Sequence, residues 1–154
     1  MMGLQTALDS NSQSSFKTRF GEVTYNQAAV LDFPNGLLGM PNQDKFFIAK
    51  MPVEKLKNFQ VMQSLVDDTI SFAILPLDFL EEGLEADDIN EIKAVMEIKG
   101  DEMLIMLIAS IQHTSSGARL SVNLRAPVFI NTITKEAYQI VLANNKYQVQ
   151  HFLG

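Results

Sequence analysis

The chain has 154 residues, 47% of them hydrophobic, no cysteine, and a formal net charge of −6. That length suits one well-formed core and is short for two, and the lack of cysteine excludes a disulfide framework, a thiolate metal site and a cysteine nucleophile. The N-terminus lacks the basic and long apolar stretches of a secretory signal, and the longest apolar run, Met103 to Ala109, is far below the roughly 18 residues of a spanning helix, so a cytoplasmic protein without membrane contact is expected.

Residues 1–15 end in the polar run Asp9 to Ser15, which has no apolar period, and read as a disordered leader to a single domain over 16–154. Phe16 to Phe20 alternates apolar and charged positions as a half-buried strand does, and Gly21 is placed to bend or bulge it before Glu22 to Tyr25. Ala29 to Phe33 leads into Pro34-Asn35-Gly36, where proline presets φ and Asn-Gly tolerates positive φ, so a tight reversal follows. Lys45 to Lys50 is aromatic and β-branched, a strand. Val53, Leu56 and Phe59 recur every third position, which fits a helical turn or two. Phe59 to Leu65 and Ile70 to Leu75 form a hairpin across Val66-Asp67-Asp68-Thr69.

Asp88 with Glu91 resembles a capping box, Ile89, Ile92 and Met96 share a face, and Gly100 sits where a C-terminal cap belongs, which predicts a helix over 88–99. Met103 to Gln112 reads as a strand covered on both faces, Thr114 to Gly117 as a turn, and Ala118 to Leu124 as a strand of alternating polarity. Leu120 to Leu142 reads as three short strands punctuated by Ala126-Pro127 and Thr134-Lys135-Glu136, and Lys146 to Phe152 as the last strand. Proline cannot donate to a central ladder, so Pro127 marks a strand start or a bulge. About ten short strands with one clear helix and no alternation of strand and helix predict a mostly β fold. The expected architecture is a small antiparallel β-barrel-like or two-sheet pseudo-barrel with one or two short helices.

Charge is unevenly distributed. From Asp78 to Glu102 ten carboxylates face two lysines, whereas beyond Glu102 a single glutamate stands against four basic residues. Such a block repels nucleic acid and favours a basic partner, or serves solubility. Acids in the first turn of the helix also complement its dipole without any partner. Neither His113 nor His151 has another ligand at metal spacing, and no glycine-rich phosphate loop is present, so no metal, no cofactor and no small-molecule substrate are expected. Asp67-Asp68 and Glu81-Glu82 are paired carboxylates that do acid-base work when one is buried, and more often are solvated turn residues. The eight methionines fill core gaps or line an adaptable surface. Nothing points positively to an enzyme. The rival reading is a small-molecule enzyme or flavin-binding protein on a compact β-barrel.

Several segments, in order, resemble the FliW family of flagellar assembly factors. Thr18-Arg19-Phe20-Gly21-Glu22 looks like its opening strand, and Phe33-Pro34-Asn35-Gly36-Leu37-Leu38-Gly39-Met40 is similar to its loop, with Met40 in place of phenylalanine. Gln63-Ser64-Leu65-Val66-Asp67-Asp68 resembles its hairpin, with Asp68 at the proline position. Asn123-Leu124-Arg125-Ala126-Pro127-Val128-Phe129-Ile130-Asn131 and Gln139-Ile140-Val141-Leu142 complete the match over about 16–152. The resemblance implies a non-enzymatic regulator on a small antiparallel β-barrel-like domain. It implies binding to the translational repressor CsrA, which relieves repression of flagellin messenger RNA, and binding to flagellin in a partner switch. Candidate partner-binding residues are Phe33 and Gly36 in the first loop, Gln63, Ser64 and Asp67 in the hairpin, Glu81, Glu82, Asp87 and Asp88 in the acidic block, and Asn123 and Asn131. The two asparagines have a second reading, satisfying backbone groups at strand ends.

Overall fold

Consecutive residues on the central strands are apolar and point to opposite faces, so the sheet must be covered on both sides. A computed structural model describes residues 13–153 of the chain. The described strands are β1 (Gln13–Thr18), β2 (Gly21–Asn26), β3 (Leu31–Asp32), β4 (Lys45–Lys50), β5 (Gln60–Ser64), β6 (Ser71–Pro76), β7 (Met103–Thr114), β8 (Gly117–Val122), β9 (Val128–Asn131), β10 (Ala137–Gln139) and β11 (His151–Phe152). One α-helix, α1 (Ala86–Met96), and three 3-10 turns at Gln27–Ala29, Glu54–Leu56 and Leu77–Phe79 complete the described elements.

The main sheet runs β10-β9-β7-β6-β5-β4-β3, with every described strand pair antiparallel. β7 is long enough to hold β9 with its first half and β8 with its second, and β8 in turn carries β11. The edge strands β3 and β10 approach each other through one parallel bridge, Asp32 to Glu136, with Asp32 N–H donating to Lys135 O at 2.9 Å. The sheet therefore curls like a barrel but is not closed by a ladder.

The period of two sorts side chains between two cores. Phe46, Met62, Ile74, Met106, Val128 and Ile130 lie with Phe33 and Leu37 on one face. Phe47, Val61, Ala73, Leu75, Leu107 and Phe129 lie on the other, beneath the β1-β2 hairpin, α1 and the C-terminal segment. Tyr25 stacks on Phe47 with ring centroids 3.8 Å apart, and Phe16 meets Phe47 edge-on, which seats the hairpin on the sheet. Each fully buried side chain of this kind contributes about 1.5–3 kcal/mol.

Several expectations require correction. The leader expectation lies outside the described residues for 1–12, but Gln13 to Ser15 belong to β1, because Phe16 and the Tyr25 side of the hairpin bring them into register. Gly21 is the first residue of β2 after a turn at Arg19-Phe20, not a bulge, and its φ of 124° is what the tight turn requires. β7 is covered on both faces only around Met106 and Leu107; Leu104 is exposed, and beyond Ile108 β7 leaves β6 and pairs with β8 alone, where Gln112, His113 and Thr114 are exposed. The last strand shrinks from Lys146–Phe152 to His151–Phe152, since Asn144, Lys146 and Tyr147 bond to the start of α1 and Gln148 O accepts from Leu124 N–H instead. Pro127 is a strand start, as its missing N–H demands.

Candidate partner-binding surfaces

The acidic block is built on α1, whose ends differ from the expected caps. Glu85 is the N-cap, but its side chain makes no capping hydrogen bond to the helix N–H groups, and Asp88 lies inside the first turn. Tyr147 does the capping work from across the fold. Its hydroxyl accepts from Glu85 N–H at 2.8 Å and donates to Asp88 Oδ2 at 2.6 Å. Asn144 Nδ2 donates to Glu85 and Asp88 at 3.4 Å each, and Lys146 pairs with Glu85. At the other end the chain turns at Glu97, in the left-handed region at φ 56°, not at Gly100. Ile98 N–H bonds to Lys93 O and Glu97 N–H to Ala94 O, and the residue after the turn, Ile98, is buried; this is a Schellman motif with its apolar seal. Ile92 faces the core with Ile89 and Met96 half-buried beside it, as the helical period predicts.

Glu81, Glu82 and Asp87 are exposed, and their side chains make no hydrogen bond or ion pair among the described residues. Asp88 differs: it is half-buried and committed to Tyr147 and Asn144, so it is a positioning group. Burial, and then the hydrogen bond to Asp88, holds the Tyr147 phenol above its ordinary value of 10.0.

The hairpin residues are drawn together as a polar brace. Ser64 Oγ donates to Gln43 and accepts from the N–H groups of Val66 and Asp67 at 3.0 Å. Gln63 Nε2 donates to Ser64 O and Asp68 O. Asp67 accepts from Thr69 N–H and hydroxyl, and the hydroxyl bond above all holds its carboxyl below 3.8. Gln63 and Ser64 are buried, so neither offers a side chain to a partner as the loop stands; the accessible surface there is Leu65 and Val66. Phe33 and Gly36 are likewise buried. Gly36 adopts φ 65°, and a Cβ there would lie 2.5 Å from Pro41 O, so glycine permits the loop to fold back on itself. Asn123 Oδ1 accepts from Arg125 and Ala126 N–H, and Asn131 Oδ1 from Ile133 and Thr134 N–H, so both asparagines close turns at strand ends.

Two clefts lie on the surface, one of them against α1. That one, of about 510 Å³, lies between the C-terminal turn of α1 and β10 and is lined by Val95, Met96, Glu97, Glu136, Tyr138 and Ile140. Val95 is 72% exposed there. Sequence reading missed it, since the helical period marks Val95 only as off the buried face. The other, of about 370 Å³, lies between the segment after β6 and β11 and brings Glu81 and Glu82 beside Phe79 and Phe152. Among the described residues no group of three or more His, Cys, Asp and Glu is arranged to hold a metal ion. No described helix is long and apolar enough to cross a membrane.

Residues 15–153 match the family model described as FliW protein. A flagellar assembly factor FliW of Clostridium beijerinckii is 31% identical over 84% of this chain and 90% of its own length. Another, of Borreliella burgdorferi, is 34% identical over 78% of this chain and 89% of its own. A crystal structure of the flagellar assembly factor FliW superposes with a TM-score of 0.69 at 19% identity, covering 90% of this chain and 96% of that one, and shows the same fold. The chain belongs to the FliW family of flagellar assembly factors.

Proposed function

We propose that this protein is a non-enzymatic, cytoplasmic assembly factor, one domain over 16–154, that binds CsrA through its acidic flank and flagellin through the cleft beside β10. The observation that carries the reading is the set of exposed, unpaired carboxylates Glu81, Glu82 and Asp87 at and just before the helix end that Tyr147 fastens. A repressor that binds RNA presents a basic surface, and unpaired carboxylates steer such a surface and speed its encounter. The cleft of Val95, Met96, Tyr138 and Ile140 suits the apolar face of a helix end, which is how an amphipathic flagellin segment would dock. Asp87 of the first surface lies in the first turn of α1 and the second surface uses its C-terminal turn, so α1 is the element through which a partner switch would couple them.

The test is association kinetics with CsrA and monomeric flagellin from the same organism. Lysine at Glu81, Glu82 and Asp87 should slow CsrA association at low salt by about tenfold or more and flatten its salt dependence, while flagellin binding persists. Asp88 is left intact so that the helix stays fastened. Unchanged kinetics sinks the electrostatic reading, and recovery of neither partner removes the assignment of partners.

A further inference from the structure

The cleft between the segment after β6 and β11 combines an exposed aromatic ring with unpaired carboxylates. Its floor is apolar, with Leu75 buried beneath, and Phe79 stands 55% exposed on its wall with no ring or cation partner among the described residues. Beside Phe79 the wall carries Glu81 and Glu82, both exposed and unpaired, and the chain holds no lysine or arginine between Lys57 and Lys93 to neutralise them. On the opposite wall, of His151 and Phe152, the ring of Phe152 already carries a guanidinium from within the chain, that of Arg119, 3.6 Å from its centroid. An aromatic face attracts a cation, and a carboxylate beside it fixes the cation's orientation. A planar guanidinium satisfies both at once, stacking on a ring and forking onto a carboxylate, which an ammonium does not.

We infer that this cleft takes one arginine side chain of a basic protein segment, stacked on Phe79 and bonded to Glu81 or Glu82; the partner's basic character rests on the reading of the acidic flank above. The volume of about 370 Å³ admits one such side chain with its aliphatic stem against Leu75 and Phe79. Phe79 supplies the selectivity for arginine, and the glutamates supply most of the charge attraction.

The full chain is titrated by calorimetry with acetylated hexa-arginine amide, with the hexa-lysine equivalent and with CsrA. The proteins are wild type, Phe79→Ala, the Glu81→Gln/Glu82→Gln pair, and Glu91→Gln as a variant with one exposed acid removed elsewhere. Phe79→Ala should weaken hexa-arginine by about five- to tenfold and hexa-lysine by much less, with thermal stability unchanged because the ring is half exposed. Glu91→Gln should weaken both peptides alike and slightly. Equal affinity of wild type and Phe79→Ala for hexa-arginine overturns the proposal, as does equal loss for both peptides. If Phe79→Ala changes nothing while CsrA still binds wild type and fails on the charge-reversed flank, the cleft falls and the flank stands. If CsrA does not bind at all but hexa-arginine binding depends on Phe79, the partner assignment falls and the arginine cleft stands. Self-association abolished by Phe79→Ala assigns the cleft to a second copy and overturns the proposal.

Discussion

Replacing Tyr147 by phenylalanine isolates the fastening of α1. The ring of this residue, only 2% exposed, keeps its apolar packing, and what is lost is one hydroxyl with a bond from Glu85 N–H at 2.8 Å and a bond to Asp88 at 2.6 Å. A bond to a charged group is worth about 1.5–3 kcal/mol and a neutral one about 0.5–1.5 kcal/mol. Both orphaned groups sit at a partly exposed helix end where water recovers part of the loss, so a net cost of about 2 kcal/mol is expected. At this chain length the melting temperature should fall by roughly 4–8 °C. In urea the midpoint should drop with an unchanged slope, and amide exchange should quicken in α1 before it does in β5 and β6. A loss under about 0.5 kcal/mol, or equal acceleration in helix and strands, would refute local fastening. The phenol adds a pH signature. Its pKa is raised in the folded state, by burial first and by the bond to Asp88 second, so its contribution is fully present below 10.0 and lost as pH rises through the folded value. The difference in phenolate absorbance between wild type and Tyr147→Phe should therefore have its inflection above 10.0.

Glu97→Gly should stabilise the fold by about 1 kcal/mol, because glycine adopts the left-handed turn without the Cβ penalty; a higher urea midpoint checks it, and a lower one would show that the Glu97 side chain has a stabilising role. Gly36→Ala should destabilise by at least about 2 kcal/mol, combining the strain of positive φ with the displacement of the 40–41 backbone that its Cβ would strike; wild-type stability would mean the loop opens freely. Thr69→Val removes the hydroxyl that is the largest cause of the lowered Asp67 pKa, so a carboxyl-detected NMR titration should find it moved back toward 3.8. Asp67's contribution is present above 3.8 and lost as pH falls through the folded value, and in Thr69→Val that acid-side loss should shrink.

The strands of the main sheet were legible because β4, β5 and β6 are short apolar runs that end at turn-forming residues; Lys45–Lys50 is found where its aromatic and β-branched run places it. The Phe33-to-Gly36 reversal was legible for the same local reason, and Gly36 N–H bonds to Phe33 O at 2.9 Å. What failed was decided by distant partners. Asp88 and Glu91 have the spacing of a capping box, yet Tyr147, 59 residues from Asp88, supplies the hydroxyl that organises the first turn. Gly100 looked like the cap, but burial of Ile98 fixes the turn earlier and forces Glu97 into the left-handed region. Of the candidate site residues, Glu81, Glu82 and Asp87 are accessible on the acidic flank, whereas Phe33, Gln63 and Ser64 shape loops from within. Sequence spacing does not distinguish an accessible side chain from a buried brace; the tertiary fold does.

The acidic flank is therefore two populations of carboxylate with different roles. Glu85 and Asp88 are held by Lys146, Asn144 and Tyr147, and their charge is used within the fold. Glu81, Glu82 and Asp87 have no such partner among the described residues, and like charges gathered on one rigid surface repel one another. Solubility requires charge but not rigidity, and it is served equally well by acids on a frayed segment. Here Asp87 sits in the first turn of a helix that is capped from across the fold and sealed by a buried isoleucine, and Glu81 and Glu82 lie in the bend before it, so the helix end that presents Asp87 is fixed before any partner arrives. Preorganised repulsion is relieved when a basic surface binds, and that relief adds to affinity without a further ordering cost. The two roles separate in experiment: loosening α1 with Tyr147→Phe should weaken binding of a basic partner although no flank charge has changed, whereas a purely solubilising role leaves that affinity where it was.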